Sequence, residues 1–204
     1  MSDEQEEGRL AAVAADPPPP VRILAISGSL RKGSSNTAVL EAAALVASPA
    51  VTIELYPGLG ALPPFNPDLD TGDDDSLPAP AAALRTAIGR ADAVLISSPE
   101  YAHGMAGALK NLLDWLVGSI EFPGKPVALI NTSPMSVHAT AQLMEVLVTM
   151  NARVVQAACA TVPLRGGRLN APEIAADPEL SPALRAAVGE LAAAARAARG
   201  LTPG

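Results

Sequence analysis

Apolar residues along the chain fall into two kinds of pattern, short continuous runs and longer stretches with helical spacing. The runs at Val21–Ser27, Asp92–Ser98 and Lys125–Asn131 are nearly continuous, which is typical of strands covered on both faces. Between the runs, apolar side chains recur at the i, i+3, i+4, i+7 spacing of one buried helix face. One such set is Leu109, Leu112, Leu113 and Leu116. The pattern predicts five repeats of a strand followed by a helix.

The repeats give a position for each element. The predicted strands are Val21–Ser27, Val51–Tyr56, Asp92–Ser98, Lys125–Asn131 and Ala152–Val162. The predicted helices are Asn36–Val46, Pro80–Gly89, Ala106–Val117, a helix through Leu143–Met150, and Leu180–Arg199. The segments predicted to be loops or surface connections are Pro57–Pro78 and Arg165–Asp177.

Strands that alternate with helices form a parallel sheet with right-handed crossovers. Five such units fit an α/β, flavodoxin-like three-layer fold with a five-stranded parallel sheet in the order 2-1-3-4-5. In that order, ligands bind outside the carboxyl ends of the strands, at the switch point beside strand 1. The loops after strands 1, 3 and 4 are therefore the candidates for a functional site.

The ends of this pattern set the expected domain bounds. Residues 1–20 combine acids and alanines with the tetraproline Pro17–Pro20, which cannot enter a helix or an interior strand. We expect a disordered N-terminal tail at 1–20 and one ligand-binding domain at 21–200. The acidic start is unlike a signal peptide, and no apolar run reaches the roughly 18 residues of a membrane span, which favours the cytoplasm.

The charged, cysteine and histidine residues exclude several classes of site. The formal net charge of −7 argues against a nucleic-acid partner, because such proteins neutralise phosphates with clustered Lys and Arg. The one cysteine, Cys159, lies in an apolar run and is predicted to be a core residue. The only histidines, His103 and His138, are 35 residues apart, so we expect no histidine-based metal site. The acidic stretch Asp68–Asp75 lacks the terminal Glu of an EF-hand and is predicted to be a solvated loop.

The loop between strand 1 and the first helix carries a concentration of hydroxyl groups. It runs over Ser27–Thr37 and ends at a helix start, where free backbone N–H groups favour an anion. Arg31 can add a charge-assisted contact to a phosphate oxygen. The other candidate donors are Ser29, Ser34, Ser35, Asn36 and Thr37. This composition predicts a site for a phosphate monoester.

Two phosphate-binding motifs fit this loop less well. A Walker A loop requires Lys directly after its second glycine, but Ser34 follows Gly33. A dinucleotide fingerprint requires a second glycine where this chain has Leu30. The alternative without a ligand is a polar capping loop in which Ser35 or Asn36 is the N-cap.

Two motifs occur in order after strands 1 and 3, GSLRKGSSN at Gly28–Asn36 and SPEYAHGMAGALKNLLDWL at Ser98–Leu116. Together they closely resemble the NADPH-dependent FMN reductase family, which includes quinone and chromate reductases. The resemblance runs from about Val21 to Leu164. It implies that FMN is the cofactor, with its phosphate in the first loop, and that NADPH or NADH is the electron donor.

The resemblance also implies that the loop after strand 3 wraps the flavin ring, largely with backbone groups. The residues that it implicates are Pro99, Glu100, Tyr101, Ala102 and His103. Relatives commonly have Asn at the position of Ala102, so this alanine is expected to contribute its backbone alone. We interpret His103 as a rim residue that covers the flavin, and the alternative is a donor or proton relay. No side chain is assigned a catalytic role, since hydride transfer to a flavin needs no protein acid.

The loop after strand 4 stands where relatives often have Ser-Pro-Gly-Gly. Ser133 and Pro134 match this motif, and Ser133 is predicted to flank the flavin, whereas the glycines are replaced. His138 is predicted to be a surface or capping residue. The helix residues predicted to be structural or to contact a second subunit are Lys110, Asn111, Asp114 and Trp115.

The sequence thus predicts an FMN-dependent NAD(P)H oxidoreductase whose acceptor is a small molecule such as a quinone, chromate or free flavin. We expect a homodimer or homotetramer without a nucleic-acid or membrane partner. Two alternatives are a flavodoxin-like electron carrier, which receives electrons from a protein, and a flavin-binding regulatory module. The absence of a strongly acidic rim in Pro99–Gly104 disfavours the carrier, and turnover would exclude the regulatory module.

Overall fold

The computed structural model describes residues 19–72, 76–164 and 169–200. The predicted tail at 1–20 therefore lies almost entirely outside the described residues. The strands are β1 (Val21–Ser27), β2 (Val51–Leu55), β3 (Ala93–Ser97), β4 (Glu100–Tyr101), β5 (Gly104–Met105), β6 (Pro126–Asn131), β7 (Arg153–Val154) and β8 (Ala160–Thr161). The α-helices are α1 (Ser35–Val46), α2 (Ala79–Arg90), α3 (Gly107–Asp114), α4 (Val137–Thr149), α5 (Ala171–Ala176) and α6 (Ser181–Ala198). Within these ranges, no helix is long and apolar enough to cross a membrane.

The main sheet is parallel, with the strand order β2-β1-β3-β6-β7, and β8 pairs with β6. In this order β6 is the fourth strand of the predicted pattern, and β7 with β8 forms the fifth. The predicted flavodoxin-like order 2-1-3-4-5 is therefore confirmed. Because β1, β3 and β6 are neighbours, the three loops that follow them meet at one edge of the sheet.

Alternate residues of the central strands enter two separate cores, one on each face of the sheet. In β1, Ile23 and Ala25 pack with α1, α5 and α6, whereas Leu24 and Ile26 pack with α2, α3 and α4. β3 follows the same alternation. A strand covered on both faces needs apolar residues at every position, which explains the continuous runs in the sequence.

The fifth predicted strand is interrupted. A 3₁₀ turn at Gln156–Ala158 separates β7 from β8, so the prediction of one strand over Ala152–Val162 is wrong in its continuity. Alanine has low strand propensity, and two of the three turn residues are alanines. The chain on both sides of the turn still bonds to β6, since Val155 N–H donates to Val127 and Val162 N–H donates to Asn131.

The prediction of a plain surface connection at Arg165–Asp177 is also wrong for the part that the structure describes, because α5 lies within it. The Asn170 side chain accepts from Glu173 N–H, and the Glu173 carboxylate accepts from Asn170 N–H, which is a capping box. Ile174 is fully buried against the α1 and α6 side of the sheet. This Asn-x-x-Glu signal was readable in the sequence.

The acidic stretch before α2 is not wholly solvated. The Asp70 carboxylate forms an ion pair of 2.6 Å with Arg85, and the two side chains are 9% and 15% exposed. Arg85 also donates to the carbonyl of Trp115. The prediction of a solvated loop is therefore wrong at Asp70, which ties the long loop to the C-terminal end of α3, whereas residues 73–75 lie outside the described ranges.

Two residues of the second motif, Asn111 in α3 and Trp115 directly after α3, hold the same loop. Asn111 accepts from Phe65 N–H at 2.7 Å and donates to the carbonyl of Pro63 at 2.9 Å. The indole N–H of Trp115, a fully buried residue, donates to the same carbonyl at 2.8 Å. The structural role predicted for Asn111 and Trp115 is confirmed, while Lys110 and Asp114 form an exposed i,i+4 pair.

Candidate functional site

Backbone and side-chain hydrogen bonds join the loops after β1, β3 and β6. Gly28 N–H, directly after β1, donates to the carbonyl of Ser97 at the end of β3, at 2.8 Å. Asn36 at the start of α1 accepts from the Ser97 hydroxyl at 2.8 Å and from the Thr132 hydroxyl at 3.4 Å. The three loops therefore form one connected surface.

Asn36 is the centre of this connection. It is a buried residue, and its side-chain oxygen is committed to Ser97 and Thr132. A ligand can thus be offered only the amide N–H₂ of this side chain. Ser97 is itself buried, so removal of the Asn36 amide leaves a buried hydroxyl without its acceptor, which costs roughly 1–3 kcal/mol.

The hydroxyls of the first loop also organise the loop itself. Ser34 is the N-cap of α1, because its Oγ accepts from Asn36 N–H at 3.2 Å, so the expectation of Ser35 or Asn36 as N-cap is wrong. Thr37 shares a hydrogen bond of 2.8 Å with Ser27. Ser29 accepts from Arg31 N–H at 3.3 Å. Each hydroxyl still has a second interaction to offer to a ligand.

Two glycines shape the first loop. At Gly28 an added Cβ would lie 2.7 Å from the Ser98 hydroxyl and 3.2 Å from Leu109, so any larger residue would force the loop after β3 or its side chains to shift. Gly33 has φ +68°, in the left-handed region that favours glycine. No described atom lies within 4 Å of an added Cβ there, so the loop presents an open surface.

The donor set of the first loop fits a phosphate group. Ser35 is the first residue of α1 and is half-buried, and the exposed Arg31 lies four residues before it. The N-terminal N–H groups and dipole of a helix favour an anion, and a guanidinium adds a charge-assisted contact. The first loop therefore has the donor types that a phosphate group requires.

The loop after β3 is a tight hairpin that sequence reasoning missed. β4 pairs with β5, with Glu100 opposite Met105 and Tyr101 opposite Gly104. The two linking residues, Ala102 and His103, have φ +48° and +60°. Two positive φ angles in a two-residue loop are those of a type I′ turn, which is usually built from Asn and Gly.

The hairpin is attached to α4 by two hydrogen bonds. The Glu100 carboxylate accepts from Ala139 N–H at 2.9 Å, and the Gln142 side chain accepts from Met105 N–H at 2.8 Å. A two-stranded hairpin is marginally stable alone, so these contacts hold its strained turn in place. Gln142 has no signal in the sequence, because its partner is a backbone group of a distant loop.

The fold brings the two histidines together. The rings of His103, in the hairpin turn, and His138, in the first turn of α4, are stacked with centroids 4.3 Å apart and 21° between planes. The two histidines, 35 residues apart in the sequence, meet because the hairpin folds back on α4. The Glu100 carboxylate lies beside them.

The rim of this edge is apolar as well as polar. Ser133, half-buried, accepts from Met135 N–H at 3.2 Å and so shapes the loop after β6. Pro99 is half-buried at the start of the hairpin segment. Large apolar side chains on the three loops and at the start of α4 are exposed: Leu30, Tyr101, Met135 and Val137. The first loop favours an anion, and the neighbouring loops expose apolar side chains. Such a surface suits a ligand that has both a phosphate group and a flat ring system.

Comparison with known proteins identifies the family. Residues 21–165 match the model of the NADPH-dependent FMN reductase family. The chain belongs to that family. The resemblance of the two motifs is thereby confirmed, and with it FMN as the cofactor and NAD(P)H as the electron donor that the family implies.

Three relatives place the chain more closely. It is 36% identical over 140 residues to a quinone reductase of Escherichia coli strain K12, covering 66% of this chain and 73% of the relative. It is 39% identical over 115 residues to an NAD(P)H-dependent FMN reductase of Pseudomonas aeruginosa, covering 55% and 60%. Among solved structures, the flavoenzyme NAD(P)H:(acceptor) oxidoreductase FerB of Paracoccus denitrificans superposes with a TM-score of 0.68 at 27% identity, over 87% of this chain and 98% of that one.

Proposed function

We propose that this member of the NADPH-dependent FMN reductase family is an enzyme that carries electrons from NAD(P)H to quinones through FMN held at the edge described above. One observation carries the proposal. The start of α1, which favours an anion, and the strained β4–β5 hairpin both lie at the switch point of the sheet. FMN, when bound, supplies two-electron redox chemistry between the nicotinamide and the acceptor. The described residues supply binding, orientation and electrostatics.

The first loop binds the phosphate in this proposal. Arg31 supplies the charge, and the N–H groups at the start of α1 supply oriented donors. The residues that donate to phosphate oxygens through side chains are Ser29, Ser34, Ser35, Asn36 and Thr37. Asn36 uses its amide N–H₂, because its oxygen is held by Ser97 and Thr132.

The hairpin contacts the ring in this proposal. Pro99 fixes the start of the turn, and backbone groups of Glu100 to His103 contact the ring, with the turn at Ala102 and His103 held at positive φ angles. Oriented N–H groups stabilise the negative charge of a reduced flavin without moving during the reaction. Ser133 flanks the ring from the third loop.

A quinone fits the rim better than a charged acceptor. Tyr101, Met135 and Val137 are exposed apolar side chains on the loops that surround the proposed ring site. Flat apolar molecules are favoured by such a surface. The names of several relatives, quinone reductase and NADPH:quinone oxidoreductase, support the same class. His103, whose ring is stacked on His138, is a rim residue in this proposal, and it is given no proton-transfer role because hydride transfer to a flavin needs no protein acid.

A second subunit is part of the proposal. Val117 and Ile120, which follow α3, are 65% and 89% exposed, and large apolar side chains at that exposure favour a protein contact. We therefore propose a homodimer or homotetramer with α3 near the contact. We also propose a cytoplasmic location, where the nicotinamide donor is regenerated.

Calorimetric titration of flavin-free protein with FMN and with riboflavin tests the phosphate site. The proposal predicts one FMN per chain and an affinity for FMN at least about tenfold above that for riboflavin, because a charge-assisted hydrogen bond contributes about 1.5–3 kcal/mol. Equal affinities for the two flavins would contradict the assignment of the first loop.

A further inference from the structure

Glu100, His103 and His138 form a cluster in which one ligand atom from each residue lies within 4.8 Å of the others. In the part of the chain that the structure describes, it is the one group of three such side chains that could hold a metal ion. Glu100 and His103 come from the β4–β5 hairpin, and His138 comes from the first turn of α4. Two secondary-structure elements therefore contribute to one cluster.

We propose that this cluster, which we call the hairpin metal site, binds a divalent transition-metal ion such as Zn²⁺ or Cu²⁺. Two imidazoles and one carboxylate are the ligand types that these ions prefer, whereas Ca²⁺ and Mg²⁺ prefer oxygen ligands alone. Two histidines and a glutamate are also a known set of three protein ligands for zinc, with the fourth position open.

The distances allow the ion to be bound with small movements. At metal–ligand distances of about 2.1 Å, neighbouring ligand atoms on a tetrahedral ion lie roughly 3.4 Å apart. Since the three ligand atoms all lie within 4.8 Å of one another, they must close by at most about 1.4 Å. His103 and His138 are exposed, and their rings can turn about broad torsions until a nitrogen of each points at the ion.

The carboxylate can keep its structural role. One oxygen of Glu100 accepts from Ala139 N–H at 2.9 Å, and a carboxylate has a second oxygen with free lone pairs. That hydrogen bond places the carboxylate at the positive end of α4, where its charge offsets the helix dipole that would otherwise oppose a cation. Occupation of the site would tie the strained turn to α4.

The hairpin metal site is independent of the flavin proposal. The flavin contacts that we propose for Glu100 and His103 use backbone groups, whereas the metal contacts use their side chains. His138 takes no part in the proposed flavin contacts. Loss of metal binding and loss of FMN binding can therefore be measured separately in the same protein.

The test is calorimetric titration of FMN-loaded, chelator-treated protein with Zn²⁺, after removal of free flavin. We expect one ion per chain with a roughly micromolar dissociation constant, and a loss of at least about tenfold in His103→Ala, His138→Ala and Glu100→Gln. Glu100→Gln keeps an oxygen that can accept from Ala139 N–H. The charge-matched control is Glu145→Gln on the exposed face of α4, which should bind Zn²⁺ like the original chain.

Electron paramagnetic resonance of the Cu²⁺-loaded protein gives a second readout. Two equatorial imidazole nitrogens should split the signal of the original chain, and one should remain in each histidine variant, because the chain has two histidines in all. Circular dichroism without metal confirms that each variant is folded. The proposal is overturned if Zn²⁺ binds more weakly than millimolar, or if both histidine variants bind it as tightly as the original chain.

Discussion

At the scale of single residues, the side chains of the site divide into those that build the loops and those that are free for a ligand. Ser34 and Asn36 are buried and hold the loops together. Arg31 is exposed, and its side chain forms no hydrogen bond or ion pair with another described residue. A substitution at Asn36 therefore changes stability and binding together. Arg31 gives the cleaner test of the phosphate contact.

Arg31→Ala should weaken FMN binding by roughly ten- to a hundredfold, because a charge-assisted hydrogen bond contributes about 1.5–3 kcal/mol. The melting temperature of the flavin-free protein should not change. Arg90→Ala, at the exposed end of α2 and on the opposite edge of the sheet, removes the same charge and should leave FMN affinity unchanged. Equal effects of the two substitutions in fluorescence titrations would show that Arg31 acts only through net charge.

Gly28→Ala should destabilise the protein by about 1–3 kcal/mol, since its Cβ would lie 2.7 Å from the Ser98 hydroxyl and 3.2 Å from Leu109. FMN binding should weaken as well, because the first two loops must separate. Chemical denaturation of flavin-free protein measures the first effect. In the control, Gly189→Ala in the exposed middle of α6, no described atom opposes the new Cβ, and we expect a gain of up to about 1 kcal/mol.

Cys159 should make the protein sensitive to alkali. Burial raises the pKa of this thiol, although a hydrogen bond from Leu129 N–H partly opposes the shift. The folded chain therefore holds its proton more tightly than the unfolded chain. The stabilisation is complete below the unfolded pKa of roughly 8.5 and is lost as the pH rises through the folded pKa. Urea denaturation at pH 7 and pH 10 under reducing conditions should show a smaller alkaline loss in Cys159→Ser, and an equal loss in both proteins would contradict this role.

At the scale of secondary-structure elements, the hairpin explains what the sequence could and could not predict. The central strands β1, β3 and β6 each carry a nearly continuous apolar run, and α3 has one leucine stripe, so these elements were predictable. The hairpin was not predictable, because the Pro-Glu-Tyr-Ala-His-Gly segment lacks the Asn-Gly pair that usually marks a two-residue turn. Ala102 and His103 take the positive φ angles instead, at the cost of strain. Its contacts to Ala139 and Gln142 depend on tertiary structure that local patterns do not encode.

Ala102→Asn should therefore stabilise the hairpin, since asparagine adopts positive φ more readily than alanine. We expect a gain of about 0.5–1 kcal/mol in the free energy of unfolding. Ala102→Val is the opposing variant, because a β-branched side chain is disfavoured at φ +48°, and it should lose stability. Proteolysis of the loop should be slowest in the asparagine variant and fastest in the valine variant, which would support the type I′ turn. A valine variant more stable than the original chain would show that the turn has another conformation in solution.

At the scale of the whole molecule, the sheet order decides where the chemistry occurs. Loops that are distant in sequence meet because β1, β3 and β6 are adjacent. The adjacency of β3 and β6 brings the hairpin near α4, and the fold of the hairpin then stacks His103 on His138. The order was predictable from the alternation of strands and helices. The stacking of His103 on His138 was not predictable, because no local sequence pattern specifies which element a hairpin will contact.

The central claim is that FMN at this edge passes electrons from NAD(P)H to a quinone, and anaerobic steady-state kinetics with FMN-loaded protein tests it most directly. One pocket that serves donor and acceptor in turn predicts parallel double-reciprocal lines when NADPH or NADH is varied at several concentrations of benzoquinone. Stopped-flow absorbance should show the flavin band bleached by the nicotinamide at a rate no lower than turnover. If neither nicotinamide bleaches the flavin at a useful rate, the account is contradicted and the protein is an electron carrier.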